Sequence, residues 1–445
     1  MMANSGYFSG PPGQILYNTN GDAMDWEYGD TILKPRIIGF TTETGNNIDG
    51  FWPAVSRIIP LAEENMYANL QAAELTLPYA GIMDIGPVIN SKRDGYFHYQ
   101  FKRLGLTDSI DYTISVKPLD SLLFAGTGTP KVIHYPVQHA VVTDSISYSL
   151  IQGIQIGQRY RFIYQINNGM TIFRDTVTKY YGWPMVMLSD SCNNMSNWSS
   201  SLWNISSRAS HSAPYSIADS PNGPYSDNAV NTITLKNKIT ISTSPVAVIE
   251  YWVRYGIEKC FDFCQFSTSL NNGSTYTKQA TRYTNNGTTQ QNFPNPVYDG
   301  NRPWSQDRVV LENTAGTDLK AKFTLVSDGA THADGIYVDD FKVTVVDMTY
   351  NGIDPTGEVL GFLSNPIPNP AATNVSVNYQ LPGNDQASGS FQLINLQGIM
   401  LKEIPVTSSA GSMKFNVAEL PAGVYLYRIS GSFGTTAVKK LVVAH

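Results

Sequence analysis

Cysteine is nearly absent. The 445-residue chain holds only Cys192, Cys260 and Cys264, too few for a disulfide framework. Cys260 and Cys264 fall in a strand-like run, where residues four apart sit too far from each other to bond. Cys192 has the reach to meet one of them across a sheet, but an inert buried thiol is the favoured reading for each. Charge is also sparse, at 15% of residues with a net of −6. Without a basic excess there is no electrostatic footprint for nucleic acid. No stretch approaches the roughly 18 apolar residues of a membrane-spanning helix. The N-terminus lacks a charged region followed by an apolar core, so no signal peptide is legible.

Hydrophobic residues make up 42% of the chain, enough to build real cores, and this length is a prior for about three domains. Gly, Pro, Asn, Ser, Thr and Tyr are plentiful, a composition that suits extracellular all-β domains. From about Pro78 the pattern becomes alternating. Phe97, Tyr99 and Phe101, then Ile110, Tyr112, Ile114 and Val116, then Tyr160, Phe162, Tyr164 and Ile166 repeat at period two between Gly- and Asp-containing turns. This predicts a small β-sandwich of immunoglobulin or fibronectin-III type over residues 80–180. His134 and His139, five apart, suit neither a helical pair nor one strand face, so they argue against a metal site.

Before this lies a segment of different character. Ile37, Ile38, Gly39 and Phe40 read as a buried strand that delivers Glu43 to its carboxyl end. Pro60 suits the first turn of a helix. Ile58, Leu61, Ala62, Met66, Leu70 and Ala73 then give one apolar face, running to about Leu75. Glu63 and Glu64 read as structural acids in the first turn.

The ordered set Tyr17, Asp25, Trp26, Tyr28, Phe40, Glu43, Gly50, Phe51 and Pro53 resembles the last part of the catalytic domain of M14-type zinc metallocarboxypeptidases. The resemblance implies that Glu43 is the general base acting on a zinc-held water, with Tyr17 closing over the substrate's terminal carboxylate. Met24 would lie on the floor of the side-chain pocket and favour an apolar residue, whereas Asp22 in that pocket would attract Lys or Arg; Asp25 belongs to the same neighbourhood. The family's zinc ligands, a His-x-x-Glu pair and a later histidine, are missing. None of the six histidines has a glutamate three residues on, and a catalytic zinc needs three protein ligands. The expectation is a truncated α/β piece over 1–79, unable to hydrolyse peptide substrates alone.

The segment 181–350 contains Asp190 to Trp198, Ser220 to Tyr225, Tyr251 to Tyr255 and Asp334 to Phe341. It is similar to jelly-roll modules akin to MAM and carbohydrate-binding domains. That resemblance implies a structural calcium held by oxygen donors, for which Asp190, Asp219, Asp227 and Asp340 are the candidates. Turn capping by the same aspartates is an equal reading. Trp198, Trp203, Tyr225, Trp252 and Trp304 form either a sugar-stacking platform or ordinary core.

After a linker, Leu363 to Pro370, Val375 to Tyr379, Phe391 to Gly398, Leu420 to Tyr425 and Lys439 to Val443 are similar to the type A C-terminal sorting domain of the Bacteroidetes type IX secretion route, giving a final domain over 351–445. With such a tail, the missing signal peptide leads to the expectation that the natural start lies upstream. The whole chain is therefore expected to be multidomain and mainly β: the truncated α/β piece followed by three β-sandwich domains. The leading function is the C-terminal portion of a secreted zinc metallocarboxypeptidase. The alternative is a non-enzymatic surface protein whose jelly roll binds glycan or protein. In both, the partners include the type IX machinery.

Overall fold

The computed structural model describes residues 6–8, 10, 11, 21, 23–45, 48–349, 362–381, 389–431, 434–436 and 438–444. The chain divides into two compact units, 1–349 and 350–445. Within the first unit, the alternating runs form a sandwich. One sheet sets β1 (Ala80–Asp84), β3 (Asp94–Arg103), β7 (Val141–Leu150) and β5 (Phe124–Thr127) side by side. The other sets β2 (Ile89–Asn90), β9 (Ile172–Tyr181), β8 (Arg159–Asn167), β4 (Tyr112–Pro118) and β6 (Lys131–Ile133). Successive strand residues point to opposite faces, so the inward members of each run, Phe97, Tyr99, Phe101, Tyr112, Tyr160, Phe162 and Tyr164, are at most 1% exposed. Phe97 lies stacked between Tyr148 at 4.0 Å and Phe162 at 3.9 Å.

A larger sandwich follows. Its first sheet runs β12 (Asn204–Ser206), β13 (Ser216–Ala218), β21 (Gly335–Val346), β16 (Val246–Ile257), β19 (Gly300–Glu312), with β10 (Pro184–Asp190) also on β21. The second runs β11 (Trp198–Ser199), β14 (Val230–Leu235), β20 (Thr317–Val326), β17 (Phe263–Ser269), β18 (Thr277–Lys278), with β15 (Ile239–Ile241) on β20. Between the sheets lie Trp198, Trp203, Tyr225, Tyr251, Phe266, Phe323 and Phe341, all buried. A fully buried carboxylate, Asp307, is satisfied there. It accepts from Thr281 Oγ1 at 2.6 Å, Tyr298 OH at 2.8 Å and the backbone N–H groups of Arg282 and Arg308, as a buried charge must.

The two sandwiches are joined through Val88, Ile89 and Tyr180 packed on Val246, Val248 and Val346. Beside this apolar seam Lys179 Nζ meets Asp84 Oδ2 at 2.7 Å, with side chains 1% and 12% exposed. Burial pushes the lysine pKa down while the Asp84 charge opposes that shift. Arg308 and Arg282 of the second sandwich donate to the carbonyls of Gly86 and Asp84 in the first.

The N-terminal segment departs from its sequence reading. Residues 37–44 form no strand and Ile37, Ile38 and Phe40 are 46%, 56% and 62% exposed. A strand needs a neighbour to satisfy its backbone groups, and none of the described residues supplies one. The helix spans Val55–Thr76 and so begins a turn before Pro60, which lies inside it; a shorter helix, Ala23–Gly29, precedes it. The buried line of the long helix is Leu61, Asn65 and Ala68, whereas Ile58, Met66 and Leu70 of the expected apolar face are each more than half exposed. Glu64, well past the first turn, accepts from Tyr7 OH at 2.8 Å and pairs with Arg57. Cys260 lies in a turn with φ of 73° rather than in a strand, and all three cysteines are buried and outside any disulfide. No helix among the described residues is long and apolar enough to cross a membrane.

In the second unit, β22 (Phe362–Leu363), β23 (Asn374–Gln380) and β26 (Ala410–Asn416) form one sheet. The other is β25 (Met400–Val406), β24 (Gly389–Asn395), β27 (Gly423–Gly431) and β28 (Gly434–Thr435), with β29 (Lys439–Val443) on β27. Val375, Val377, Phe391, Phe415, Tyr427 and Leu441 share one core.

Removing one partner of a buried ion pair strands the other charge, so Lys179→Ala should destabilise the first unit by about 3–5 kcal/mol. Lys179→Met with Asp84→Asn, which leaves no uncompensated charge, should lose clearly less. Thermal unfolding of the full chain measures both; equal losses would reject a charge-based origin.

Candidate functional site

Strand β16 carries an alternation that splits its aromatic residues between two environments. Tyr251, Val253, Tyr255 and Ile257 face the core and are at most 5% exposed, whereas Trp252 and Arg254 point out from the sheet and are only half-buried. Both neighbours of β16 bulge at this level. On β21, Lys342 opposes Glu250 but Asp339 opposes Trp252, so one extra residue is inserted. Asp340 holds φ of 48° there, a left-handed conformation that Asp tolerates better than most side chains. On β19, Ser305 opposes Val253 but Arg302 opposes Tyr255, which inserts a residue beside Trp304. Bulges re-aim side chains and are over-represented next to sites.

The first bulge turns two consecutive carboxylates toward one loop. Asp339 Oδ2 accepts from the backbone N–H of His211 at 2.8 Å and of Ser212 at 3.0 Å. Ser212 Oγ donates to Asp340 Oδ1 at 2.8 Å, and His211 Nδ1 lies 2.7 Å from Asp340 Oδ2. So held, the His211 ring stacks on Trp252 at 3.6 Å and 11°. Trp304 stands edge-on to His211 at 6.2 Å and to Tyr337 at 6.5 Å. Tyr337 is buried as the floor, with Arg254 over its ring at 5.6 Å and its hydroxyl donating to Asp334 Oδ1 at 3.0 Å. Arg208 pairs with Asp334 at 2.8 Å. The result is a half-open aromatic surface rimmed by both signs of charge and fixed by hydrogen bonds. It can stack a flat apolar ring face and hydrogen-bond the polar groups around its edge.

Of the five aromatic residues proposed from sequence as a platform, Trp198, Trp203 and Tyr225 are core at 4%, 2% and 2% exposure. Trp252 and Trp304 reach the surface site. The phase of Trp252 against Tyr251, Val253 and Tyr255 carries that distinction. Sequence reasoning missed His211, whose carboxylate partner is 129 residues away.

The four aspartates expected to share calcium are not gathered. Asp190 accepts from Cys192 N–H, Asn197 and the Trp198 indole, Asp219 from Ile336 N–H, and Asp227 meets His332. Asp340 belongs to the aromatic site. Among the described residues, the acids close enough to share an ion are Glu258, Asp262 and Asp328, with ligand atoms within 4.8 Å of one another. Asp262 is already engaged by Tyr225 OH at 2.6 Å and Asp328 N–H at 2.7 Å, and Glu258 Oε2 has no partner. Burial first, then the charges of Asp262 and Asp328, push Glu258 up to about 7.

In the N-terminal segment Glu43 is exposed on irregular backbone. Met24 accepts from Thr41 Oγ1 through its sulfur at 3.2 Å, and Asp25 accepts from Gly21 N–H at 3.1 Å. Tyr17 and Asp22 lie outside the described residues.

Residues 367–444 match the family model of the secretion system C-terminal sorting domain. The chain thus carries a type IX sorting domain, which implies handling by that secretion machinery, and it is a secreted or cell-surface protein. Comparison with curated proteins found no match. Among solved structures, the chain is similar to a family 16 carbohydrate-binding module at 11% identity, over 36% of this chain and 99% of that one, with a TM-score of 0.25. It is likewise similar to a xylan-binding domain from Paenibacillus barcinonensis at 13% identity, over 37% and 97%, with a TM-score of 0.26.

Asp219 is 2% exposed, its Oδ2 has no partner, and burial above all raises its pKa to about 7. An acid whose folded pKa lies above its unfolded value stabilises below the unfolded pKa, and that stability is lost as pH rises through the folded one. The fold should therefore weaken between about pH 4 and 7 on account of Asp219 and Glu258. Asp219→Asn should gain about 2–6 °C in Tm relative to the parent between pH 5 and pH 8. Parallel Tm curves across that range would reject the buried acid.

Proposed function

We propose that this is a secreted surface protein that binds glycan through the outer face of its second sandwich, with the tail being the type A form of the sorting domain. What supports the reading is the pair of bulges flanking Trp252. They bring Trp252, His211 and Trp304, with Arg254, Arg208 and Asp334, to one half-buried outer face above the buried Tyr337. A pyranose presents an apolar ring face with hydroxyls at its rim, and this surface offers rings to stack on and charged groups to hydrogen-bond. Nothing in this reading calls for catalysis.

Full-length protein on an array of microbial, plant and animal oligosaccharides should bind at least one glycan class. Trp304→Ala should weaken that binding about tenfold, the ~1.4 kcal/mol of one stacked aromatic contact, with Tm unchanged. Binding to no glycan, or equal binding by the variant, would remove the proposal.

A second reading attaches to the N-terminal segment, where Ile32, Leu33, Ile48, Phe51, Trp52 and Val55 are 81% to 107% exposed. Large apolar side chains left this exposed are what a covered face would carry. Under this reading residues 1–79 are the end of a zinc carboxypeptidase domain, with Glu43, Tyr17, Met24, Asp22 and Asp25 as its site residues. The residues present do not fit a zinc site: no histidine is followed by glutamate at the third position, and no histidine joins the acids close enough to share an ion among the described residues. Incubated with zinc and a peptide bearing a free C-terminus, the chain alone should release no amino acid. Recovery on adding a preceding His-x-x-Glu segment would support the reading, and turnover by the isolated chain would overturn it.

A further inference from the structure

The aromatic site contains a ring whose two nitrogens are not equivalent. His211 Nδ1 lies 2.7 Å from Asp340 Oδ2, and an ionised carboxylate only accepts, so Nδ1 must carry the hydrogen. In the neutral ring Nε2 is then a bare lone pair. No described residue hydrogen-bonds it, and the side chain is one-third exposed. Below the ring is Trp252 at 3.6 Å and beside it is Trp304, so the imidazole is clamped and the direction of its lone pair is fixed.

The molecule has invested structure in this orientation. In a regular strand Asp339 and Asp340 would face opposite sides. The bulge at Asp340 brings both to one side, where Asp339 holds the backbone of His211 and Ser212 while Asp340 holds the imidazole and the Ser212 hydroxyl. A stack on Trp252 alone would need neither carboxylate. The second carboxylate selects which nitrogen faces out.

Resting on the glycan reading above, we infer that His211 is the specificity-determining residue of that site: Asp340 fixes the Nδ1–H form, and Nε2 accepts a hydrogen bond from a hydroxyl of the bound sugar. The site therefore favours a residue with a free hydroxyl at the imidazole edge over its deoxy or O-methylated counterpart. A site that bonds a hydroxyl discriminates against its loss, because the analogue leaves the outward-facing Nε2 acceptor with solvent as its only partner.

Two measurements on the full-length protein test this separately from glycan binding. At pH 8, the 15N NMR correlations of the His211 side chain should show the Nδ1–H form. In Asp340→Asn, whose amide can donate to Nδ1 and whose backbone conformation Asn accepts readily, they should show the Nε2–H form. The Nε2–H form in the parent would overturn the inference whatever binds. On the oligosaccharide array, His211→Phe keeps a ring on Trp252 but has no acceptor. It should lose about tenfold or more in affinity for the glycan the parent prefers, and discrimination against the deoxy analogue should vanish. Undiminished binding by His211→Phe, while Trp304→Ala still loses affinity, would overturn the role of His211 and leave the glycan reading intact. If the parent binds no glycan, both fall.

Discussion

The fold and its candidate site both depend on the alternation of side chains along β16. A strand offers two faces and no intermediate, so a residue's phase decides whether it becomes core or surface. In Tyr251-Trp-Val-Arg-Tyr255, Tyr251 and Tyr255 are committed to the space between the sheets, where Tyr251 packs against Phe266, Phe323 and Phe341. Trp252 and Arg254 are thereby committed to the opposite face. Slipping the register by one residue would bury a tryptophan and a guanidinium while expelling two tyrosines, so the core fixes the site by exclusion. The two bulges act on top of this constraint. They leave β16 in phase and shift only its neighbours, which lets Asp340 and Trp304 join the Trp252 side without disturbing the residues beneath.

The site is also held from behind. The buried chain Tyr251–Tyr298–Asp307 satisfies every polar atom it places in the core, and Asp307 opposes Tyr251 across β16 and β19. Arg308, next to Asp307, pairs with Glu250 at 2.8 Å and reaches Gly86 of the first sandwich. The strand bearing Trp252 is thus tied through β19 both to a satisfied polar core and to the neighbouring sandwich. A rigid backing of this kind lets a shallow surface present rings at fixed angles, because ordering that a ligand would otherwise have to impose is already in place.

Much of this fold was legible in sequence. The period-two runs around Phe97, Tyr112 and Tyr160 are strands with their expected residues inward, since alternation over four or more residues is a direct consequence of strand geometry. The N-terminal segment is less legible. Ile37 to Phe40 is as apolar as a buried strand but finds no pairing partner, and composition alone does not report whether a neighbour exists. Pro60 points to a later helix start than the one observed, although Val55, Ile58 and Ile59 before it already follow helical spacing. At the site, Trp252 and Trp304 could be named but not separated from Trp198 and Trp203, whose indoles instead donate to Asp190 and to the Asn231 carbonyl inside the sandwich. His211 was invisible because its importance comes from a bulge in a strand more than a hundred residues later.

The aspartates make the same point about chemistry. Asp190, Asp219 and Asp340 looked interchangeable as oxygen donors, yet each folded environment gives its carboxylate a different task. Asp190 ties a turn to an indole; Asp340 orients an imidazole; Asp219 is buried with one oxygen unpaired and its pKa raised to about 7. Residue type supplies the capacity to accept hydrogen bonds, and the backbone decides from what. The bulge at Asp340 is the clearest case: one inserted residue in a left-handed conformation turns what would have been one outward and one inward acid into a pair acting on a single loop. That insertion, more than the number of acids or aromatics in the module, gives the outer face a defined shape.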